Sequence, residues 1–271
     1  MQLPYPVIAK NISYRRGFRN IIANISLVLK KSEFAGLIGG SGSGKTTLLT
    51  CLNGFRTPTR GKVVLCGLSS GERKRLRSRI GYVPQEDIVH RTLTVERALF
   101  YSAMLRRPGM NAAEAGKKVD ETLAALDLAD RRRHKIGSLS GGQRKRVNIG
   151  VELMHSPSLF FLDEPSAGLD PGLERQLMRH LRNMSRQGRT VLVTTHLMQH
   201  IDLFDVLGLI HRGRLVYFGP ASEIRSFFGV GEMVELFDRI GNADPDRLFS
   251  RFAGSALYRR FLMQRLRESR P

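Results

Sequence analysis

An α/β fold is predicted, with a β-rich start and an inserted helical block, and three observations predict it. A glycine-rich loop, GGSGSGKTT at 39–47, sits between an apolar strand pattern and a helical one. From about Glu86 to Gly150 the pattern turns helical, and after Gly150 short apolar runs alternate with helical stretches. Such alternation is what a parallel sheet covered by helices requires.

Residues 7–38 alternate apolar runs (VIA, IIANISLVL, FAGLIG) with polar turns and read as strands. FAGLIG runs straight into the glycine loop, TTLLTCLNG reads as a helix ending near Gly54, and GKVVLCGL at 61–68 returns to strand. The helical block holds TVERALFYSAMLRRP, AAEAGKKVDETLAALDL and the helix after LSGG, where Val147, Val151 and Met154 share one face by spacing. SLFFLD is apolar throughout, as a parallel strand buried on both faces should be. LERQLMRHLRNMSRQ is a helix, TVLVTTH a strand followed by a short helix, and VLGLIH and RLVYFG are strands joined by a tight turn at Gly213. ASEIRSFFG is helical, and 231–271 is amphipathic and basic with a tail of undefined order. This divides the chain into a unit at 1–230, with its helical part at about 86–150, and a C-terminal extension at 231–271.

The chain of 271 residues carries 44 basic and 24 acidic residues, a net charge of +20. That balance favours polyanions: nucleotides, nucleic acid or an anionic lipid surface. Basic clusters stand at ERKRLRSR (72–79), at RRRHK (131–135) and from Arg251 onward, without the interleaved aromatics of a single-strand binder. No apolar run approaches the ~20 residues of a membrane-spanning helix, so this chain is expected to cross no membrane by itself. The N-terminus lacks the pattern of a signal peptide. Cys51 and Cys66 match no metal spacing and fit a reducing compartment.

Gly39, Gly40, Ser41, Gly42, Ser43, Gly44, Lys45 and Thr46 fit a phosphate loop, with Thr47 following, between the predicted strand and helix. Glycines let successive N–H groups curl round phosphate oxygens, and the helix N-terminus adds positive potential. Lys45 would reach the β- and γ-phosphates and the Thr46 hydroxyl would ligate Mg²⁺. LFFLDE then ends an apolar strand in two carboxylates: Asp163 to help hold the metal, Glu164 to polarise the attacking water. His196 follows TVLVTT at a strand's carboxyl end, where open sheets place ligands, and could bond the γ-phosphate. Gln85 in GYVPQED stands at the entrance to the helical block, placed to touch Mg²⁺ or the water.

The phosphate loop, Gln85, LSGGQ, LFFLDE, SAGLD and His196 stand in the order and spacing of the ATP-binding-cassette (ABC) ATPases, which the chain resembles over about 7–220. The resemblance implies a phosphate-loop NTPase core with an N-terminal antiparallel β subdomain and an inserted helical subdomain. It implies ATP and Mg²⁺ as cofactors, and it explains a second glycine turn. In that family two cassettes pair head to tail, and the LSGGQ of one closes on the γ-phosphate held by the other. Ser140, Gly141, Gly142 and Gln143 would then serve a partner's nucleotide, and a lone monomer would be nearly inactive. SAGLD, Ser166 to Asp170, resembles the loop that crosses the same interface, but it lacks the family's usual threonine and has Ala167 where serine is common. Tyr14 matches the adenine-stacking position, with Phe18 as the competitor.

GYVPQEDIVHRTLTVERALFYSAMLRRP, the LSGGQ-to-SAGLD stretch and GRLVYFGPASEI are similar to G-type transporters, and to bacterial cassettes fused to exporter-type membrane domains. The implied function is ATP hydrolysis powering a transporter. The partners would be a second cassette in a homodimer, a transmembrane permease in trans or fused in a longer chain, and possible anionic lipid, at the cytoplasmic face of the inner membrane. The competing readings are a soluble cassette acting on DNA or the ribosome, for which +20 is the argument, and a non-hydrolysing scaffold. The first lacks a second cassette or zinc-binding cysteines in its support, and Lys45, Glu164 and His196 speak against the second. Cargo is chosen by the membrane partner and is not written in this chain.

Overall fold

The computed structural model of the chain describes residues 4–107, 109–196 and 199–269. Two long strands, β1 (Val7–Arg16) and β2 (Arg19–Leu29), form an antiparallel hairpin. β4 (Arg60–Leu65) pairs antiparallel with the free side of β1, and a two-residue β5 (Leu68–Ser69) completes a four-stranded sheet of order β2-β1-β4-β5. The single strand expected over 61–68 is therefore two strands. Cys66 and Gly67 take left-handed backbone angles, φ 49° and 79°, which turn the chain back on itself.

The second sheet has six strands. β3 (Phe34–Ile38), β6 (Ile80–Val83), β7 (Leu159–Asp163), β8 (Thr190–Thr195) and β9 (Val206–His211) are parallel where they pair, and β10 (Arg214–Gly219) closes one edge antiparallel to β9. The order is β10-β9-β3-β8-β7-β6. Every residue of β3, β7, β8 and β9 is buried, as the continuous apolar runs require. The β9–β10 turn expected at Gly213 is present, with φ 80° there.

α1 (Lys45–Leu52) follows β3, and a one-turn α2 (Arg73–Leu76) precedes β6. The helical block consists of α3 (Val95–Arg106), α4 (Ala112–Ala125) and α5 (Gly141–Leu153). Thr94 caps α3, while Asn111 with Glu114 and Ser140 with Gln143 form capping boxes on α4 and α5, so polar residues fix where each helix starts. On and just past α5, Val147 and Met154 are fully buried and Val151 packs against the same core, as the shared face predicts. α6 (Pro171–Arg186) starts at the Asp170 cap and covers the parallel sheet. The short helix expected after His196 begins on residues 197 and 198, outside the described ones; a single 3-10 turn, Ile201–Leu203, follows.

The C-terminal extension folds, where the sequence left its order open. α7 (Ile224–Phe228), α8 (Met233–Gly241), α9 (Pro245–Ala253), a π-helical turn (Tyr258–Met263) and α10 (Gln264–Glu268) pack on the edge of the second sheet. Leu236, Phe252 and Leu262 are buried, and Tyr217, Phe227, Phe228, Phe252 and Tyr258 form a chain of ring contacts. Buried Arg265 reaches the first sheet's connection, donating to the Val28 carbonyl at 2.9 Å and to both carboxylate oxygens of Glu33 at 2.8 and 3.0 Å. Among the described residues no helix is long and apolar enough to cross a membrane.

Three histidines make stability pH-dependent. Burial lowers the pKa of His155, His180 and His211, and each also has an arginine nearby that pushes the same way. The unfolded chain takes up those protons near pH 6.5, before the folded chain does. The folded state is therefore fully favoured above about pH 6.5 and loses stability as pH falls through the depressed folded values. A thermal midpoint that declines as pH is lowered below about 6.5 at constant ionic strength is expected in calorimetry; a flat profile there would contradict it.

Candidate functional site

Four neighbouring parallel strands deliver their carboxyl ends to one place. β3 runs into the glycine loop, β7 ends at Asp163, β8 ends one residue before His196, and β6 ends two residues before Gln85. This is the crevice where open parallel sheets hold ligands. A cavity of about 890 Å³ opens there, lined by Gly40 to Thr47, Gln85 and Glu164 among others.

The loop can only be built with glycine at its ends. Gly39 has φ 153°, and a β-carbon there would stand 2.3 Å from the Ile210 carbonyl oxygen. Gly44, φ 107°, caps α1, and a β-carbon there would meet Ile22 at 2.8 Å. The loop is clasped from outside, because the Gly213 amide donates to the Ser43 carbonyl at 2.9 Å and the Ala23 amide to the Gly213 carbonyl at 2.9 Å. The buried Ser43 hydroxyl has no hydrogen-bond partner. It lies 2.8 Å from where a Gly39 β-carbon would stand, and an orphan donor within a glycine loop fits a phosphate-binding role.

Lys45 is 5% exposed and donates to the carbonyls of Gly39 and Gly40 at 2.9 and 3.1 Å. Burial pushes its pKa down, opposed by Glu164 and Asp163. Its Nζ lies 3.7 Å from Glu164, whose other oxygen lies 3.3 Å from His196 Nδ1. Asp163, 2% exposed, accepts from the hydroxyls of Thr46 at 3.0 Å and Thr194 at 2.6 Å. Thr46 and Asp163 thus offer adjacent oxygens, a small donor set that suits a Mg²⁺ otherwise held by phosphate oxygens and water. The structure therefore brings Lys45, Thr46, Asp163, Glu164 and His196 together.

Thr194 was missed, because inside TVLVTT it reads only as strand. Its hydroxyl donates to Asp163 and accepts from the Glu164 amide at 2.9 Å. Glu164 has φ 43°, an uncommon backbone state for glutamate, and its amide is fixed by the Thr194 carbonyl and hydroxyl together. Strain of this kind costs on the order of 1–3 kcal/mol and persists where surrounding contacts hold it.

Gln85 lines the cavity, and its segment is latched to α5. Buried Lys145 donates to the carbonyls of Pro84 and Gln85, Asn148 bonds Asp87 and the Ile88 amide, and Arg144 pairs with Asp87 at 3.4 Å. The helix so latched carries the second glycine turn at its N-terminus. Ser140, Gly141, Gly142 and Gln143 do not line the phosphate cavity. Ser140 Oγ instead accepts from the Gln143 amide at 3.3 Å, and Gln143 Oε1 accepts from the Ser140 amide at 3.1 Å. Asp170, at the end of SAGLD, accepts from the amides of Gly172 and Leu173 and is spent as a helix cap.

The two aromatic residues expected near the adenine stand apart from the cavity lining. Tyr14 packs against the core and is held by Arg56, which donates to its hydroxyl at 3.2 Å with the guanidinium 5.5 Å from the ring centre. It does not line the cavity. Phe18, in the hairpin turn, is 97% exposed and lies outside it too. The sequence also gave no sign of the further lining residues Arg19, Asn20, Ile21, His211, Arg212, Phe237 and Ile240.

Comparison with known proteins gives the arrangement a context. The ABC transporter family model matches residues 22–167, more than half of the chain. The chain is 39% identical to an ABC transporter ATP-binding/permease protein of Mycobacterium tuberculosis over 87% of its own length, spanning 28% of that protein. It is 34% identical to the linearmycin resistance ATP-binding protein LnrL of Bacillus subtilis, over 84% of this chain and 73% of that one. A dimeric ATP-binding cassette in a post-hydrolysis state, bound to ADP and Pi, superposes with a TM-score of 0.72 at 27% identity, over 79% of this chain and 98% of that one.

Proposed function

Because the chain belongs to the ABC transporter family, we propose that it is the ATP-hydrolysing cassette of a transporter, working as a head-to-tail pair of copies that closes on MgATP. One observation carries this. The cavity holds the phosphate loop, Gln85 and Glu164, while the LSGGQ turn stands outside it at the exposed start of α5. Each protomer has half of a site and presents the other half to a neighbour. Gly39 to Thr47 would cradle the triphosphate, with Lys45 moving from loop carbonyls to phosphate oxygens. Thr46 and Asp163 would hold the metal, with Gln85 beside it. Mg²⁺, when bound, neutralises charge on the phosphates. Glu164 would accept the proton of the attacking water, and His196, already on Glu164, would orient it and sense the γ-phosphate. Ser140, Gly141, Gly142 and Gln143 would close on the partner's nucleotide with a helix N-terminus aimed at it.

The latch from Lys145 and Asn148 to the Gln85 segment supports a route for coupling. A shift of Gln85 on nucleotide binding would carry α5, and with it the turn offered to the partner. The membrane partner is a permease, in trans or in a longer chain. The direction of transport is export, supported by relatives named for linearmycin resistance and Nod factor export. The chain would then sit peripherally at the cytoplasmic face of the inner membrane, its basic residues toward anionic lipid. We assign 1–230 to the cassette, with the helical subdomain at about 86–150, and 231–271 to an extension. The nucleic-acid reading keeps only the charge in its favour.

Complementation tests the pairing. Gly141→Asp puts a carboxylate where the γ-phosphate of the partner's site would lie, at a position where an added β-carbon meets no atom within 4 Å of its own chain. Lys45→Ala removes the phosphate cation. Each variant alone should hydrolyse ATP about 100-fold or more slowly. Mixed, they form hybrids with one intact site, and the rate should rise well above the sum of the two. Two folded, ATP-associating variants that recover nothing on mixing would sink the proposal.

A further inference from the structure

The phosphate cavity has a wall that none of its motifs accounts for. Phe237, Ile240 and Gly241 of α8 line it, together with Arg212 and, from β2, Ile21. α8 lies outside residues 22–167, the part of the chain that matches the family. Its buried face, Met233, Leu236 and Ile240, is pressed into the core, which leaves Phe237 half-buried at the cavity. Met233, Leu236, Phe237 and Ile240 are spaced three and four residues apart, so this wall follows directly from helical periodicity.

Hydrogen bonds fix that wall to the phosphate loop. Arg212 donates to the Gly241 carbonyl at 3.0 Å, and His211 Nε2 lies 3.1 Å from the Ala243 carbonyl. Just beyond, Arg214 pairs with Asp246 at 2.9 Å and places its guanidinium 4.3 Å from the Phe249 ring centre. All three side chains flank the β9–β10 turn, whose Gly213 amide bonds Ser43 inside the phosphate loop. Loop, turn and α8 are thus one connected frame.

A nucleotide anchored by its phosphates carries a flat, polarisable base a few bonds away, and such a base gains most from an aromatic or apolar face. Both aromatic residues of the β1–β2 hairpin stand outside the cavity, one clamped by Arg56 and the other in solvent. Among the described residues that line it the rings are Phe237 and His211, and His211 is tied to the Ala243 carbonyl, which leaves Phe237 as the apolar face.

We propose that Phe237, backed by Ile240, is the platform on which the base of the nucleotide held by the same chain's phosphate loop rests. The C-terminal extension then completes the nucleotide site in cis. The proposal rests on reading the cavity as an ATP site and names a part of that site.

Calorimetric titration of the full chain with MgATP and, separately, with magnesium tripolyphosphate separates base from phosphate. Phe237→Ala should weaken ATP binding about tenfold, about 1.4 kcal/mol, and leave tripolyphosphate binding as in the parent. Phe237→Tyr should restore ATP affinity, and Tyr14→Leu should not reduce it. The proposal is overturned if Phe237→Ala binds ATP like the parent, or if it loses ATP and tripolyphosphate equally, since α8 would then merely brace the loop. If the parent chain binds neither ligand, the ATP reading of the cavity fails as well; parent binding with an indifferent Phe237 variant removes the platform alone.

Discussion

Glu164→Gln is expected to slow steady-state ATP hydrolysis by at least about 100-fold while MgATP still binds. The amide keeps the shape of the side chain and its contact distances, so the cradle made by Gly39 to Thr47 is untouched. What disappears is the charge that faces Lys45 at 3.7 Å and His196 at 3.3 Å, and with it the acceptor for the proton of water. The backbone should tolerate the change. The left-handed state of residue 164 is fixed through its amide by Thr194, and that bond does not depend on the side chain. Binding without turnover should leave ATP trapped between two copies, seen as a dimer in gel filtration with MgATP and as a monomer without it. A variant that turns over at the parent rate would remove Glu164 from its assigned role.

The second large effect concerns stability. Arg265→Ala should destabilise the chain by about 3–5 kcal/mol in denaturant unfolding, because it leaves a buried carboxylate without its partner. Arg265 and Glu33 are 5% and 8% exposed and make two charge-assisted hydrogen bonds, and the guanidinium also holds the Val28 carbonyl. Against a total stability of roughly 5–15 kcal/mol for a typical domain, such a loss is severe. Replacing both partners, Arg265→Met with Glu33→Leu, should recover part of it, since it removes the stranded charge but takes a partner from the Val28 carbonyl and from the Lys30 amide, which donates to Glu33 at 2.8 Å. If the single variant unfolds at the parent midpoint, the extension is not anchored through this pair.

Much of this could be read from residue order, and the exceptions have physical causes. SLFFLD is a short apolar run and TVLVTT a short β-branched one, both of strand length and strand propensity, so β7 and β8 were legible. β6 was not, because the four residues IGYV at the sheet edge are too few to show a period. The phosphate loop announced itself because its glycines are required by backbone geometry. Thr194 did not, since a threonine inside a β-branched run looks like strand propensity until its hydroxyl is seen between the Asp163 carboxylate and the Glu164 amide. The contact between Arg56 and the Tyr14 ring was equally hidden, since it joins β1 to the segment after α1, 42 residues on. The order of 231–271 was hidden because Phe252 meets Tyr217 on β10, and Arg265 meets Val28 on β2 and Glu33 just after it, all remote in sequence.

The reciprocal bonds between Ser140 and Gln143 have a consequence for the working cycle. A lone copy keeps the start of its LSGGQ turn shaped, because the Ser140 and Gln143 amides are each satisfied by the other residue's side chain. Joining demands little ordering of that turn, and parting leaves no scar in it. In the proposed pair, the triphosphate rather than a refolding of this turn would then decide how long two copies stay joined.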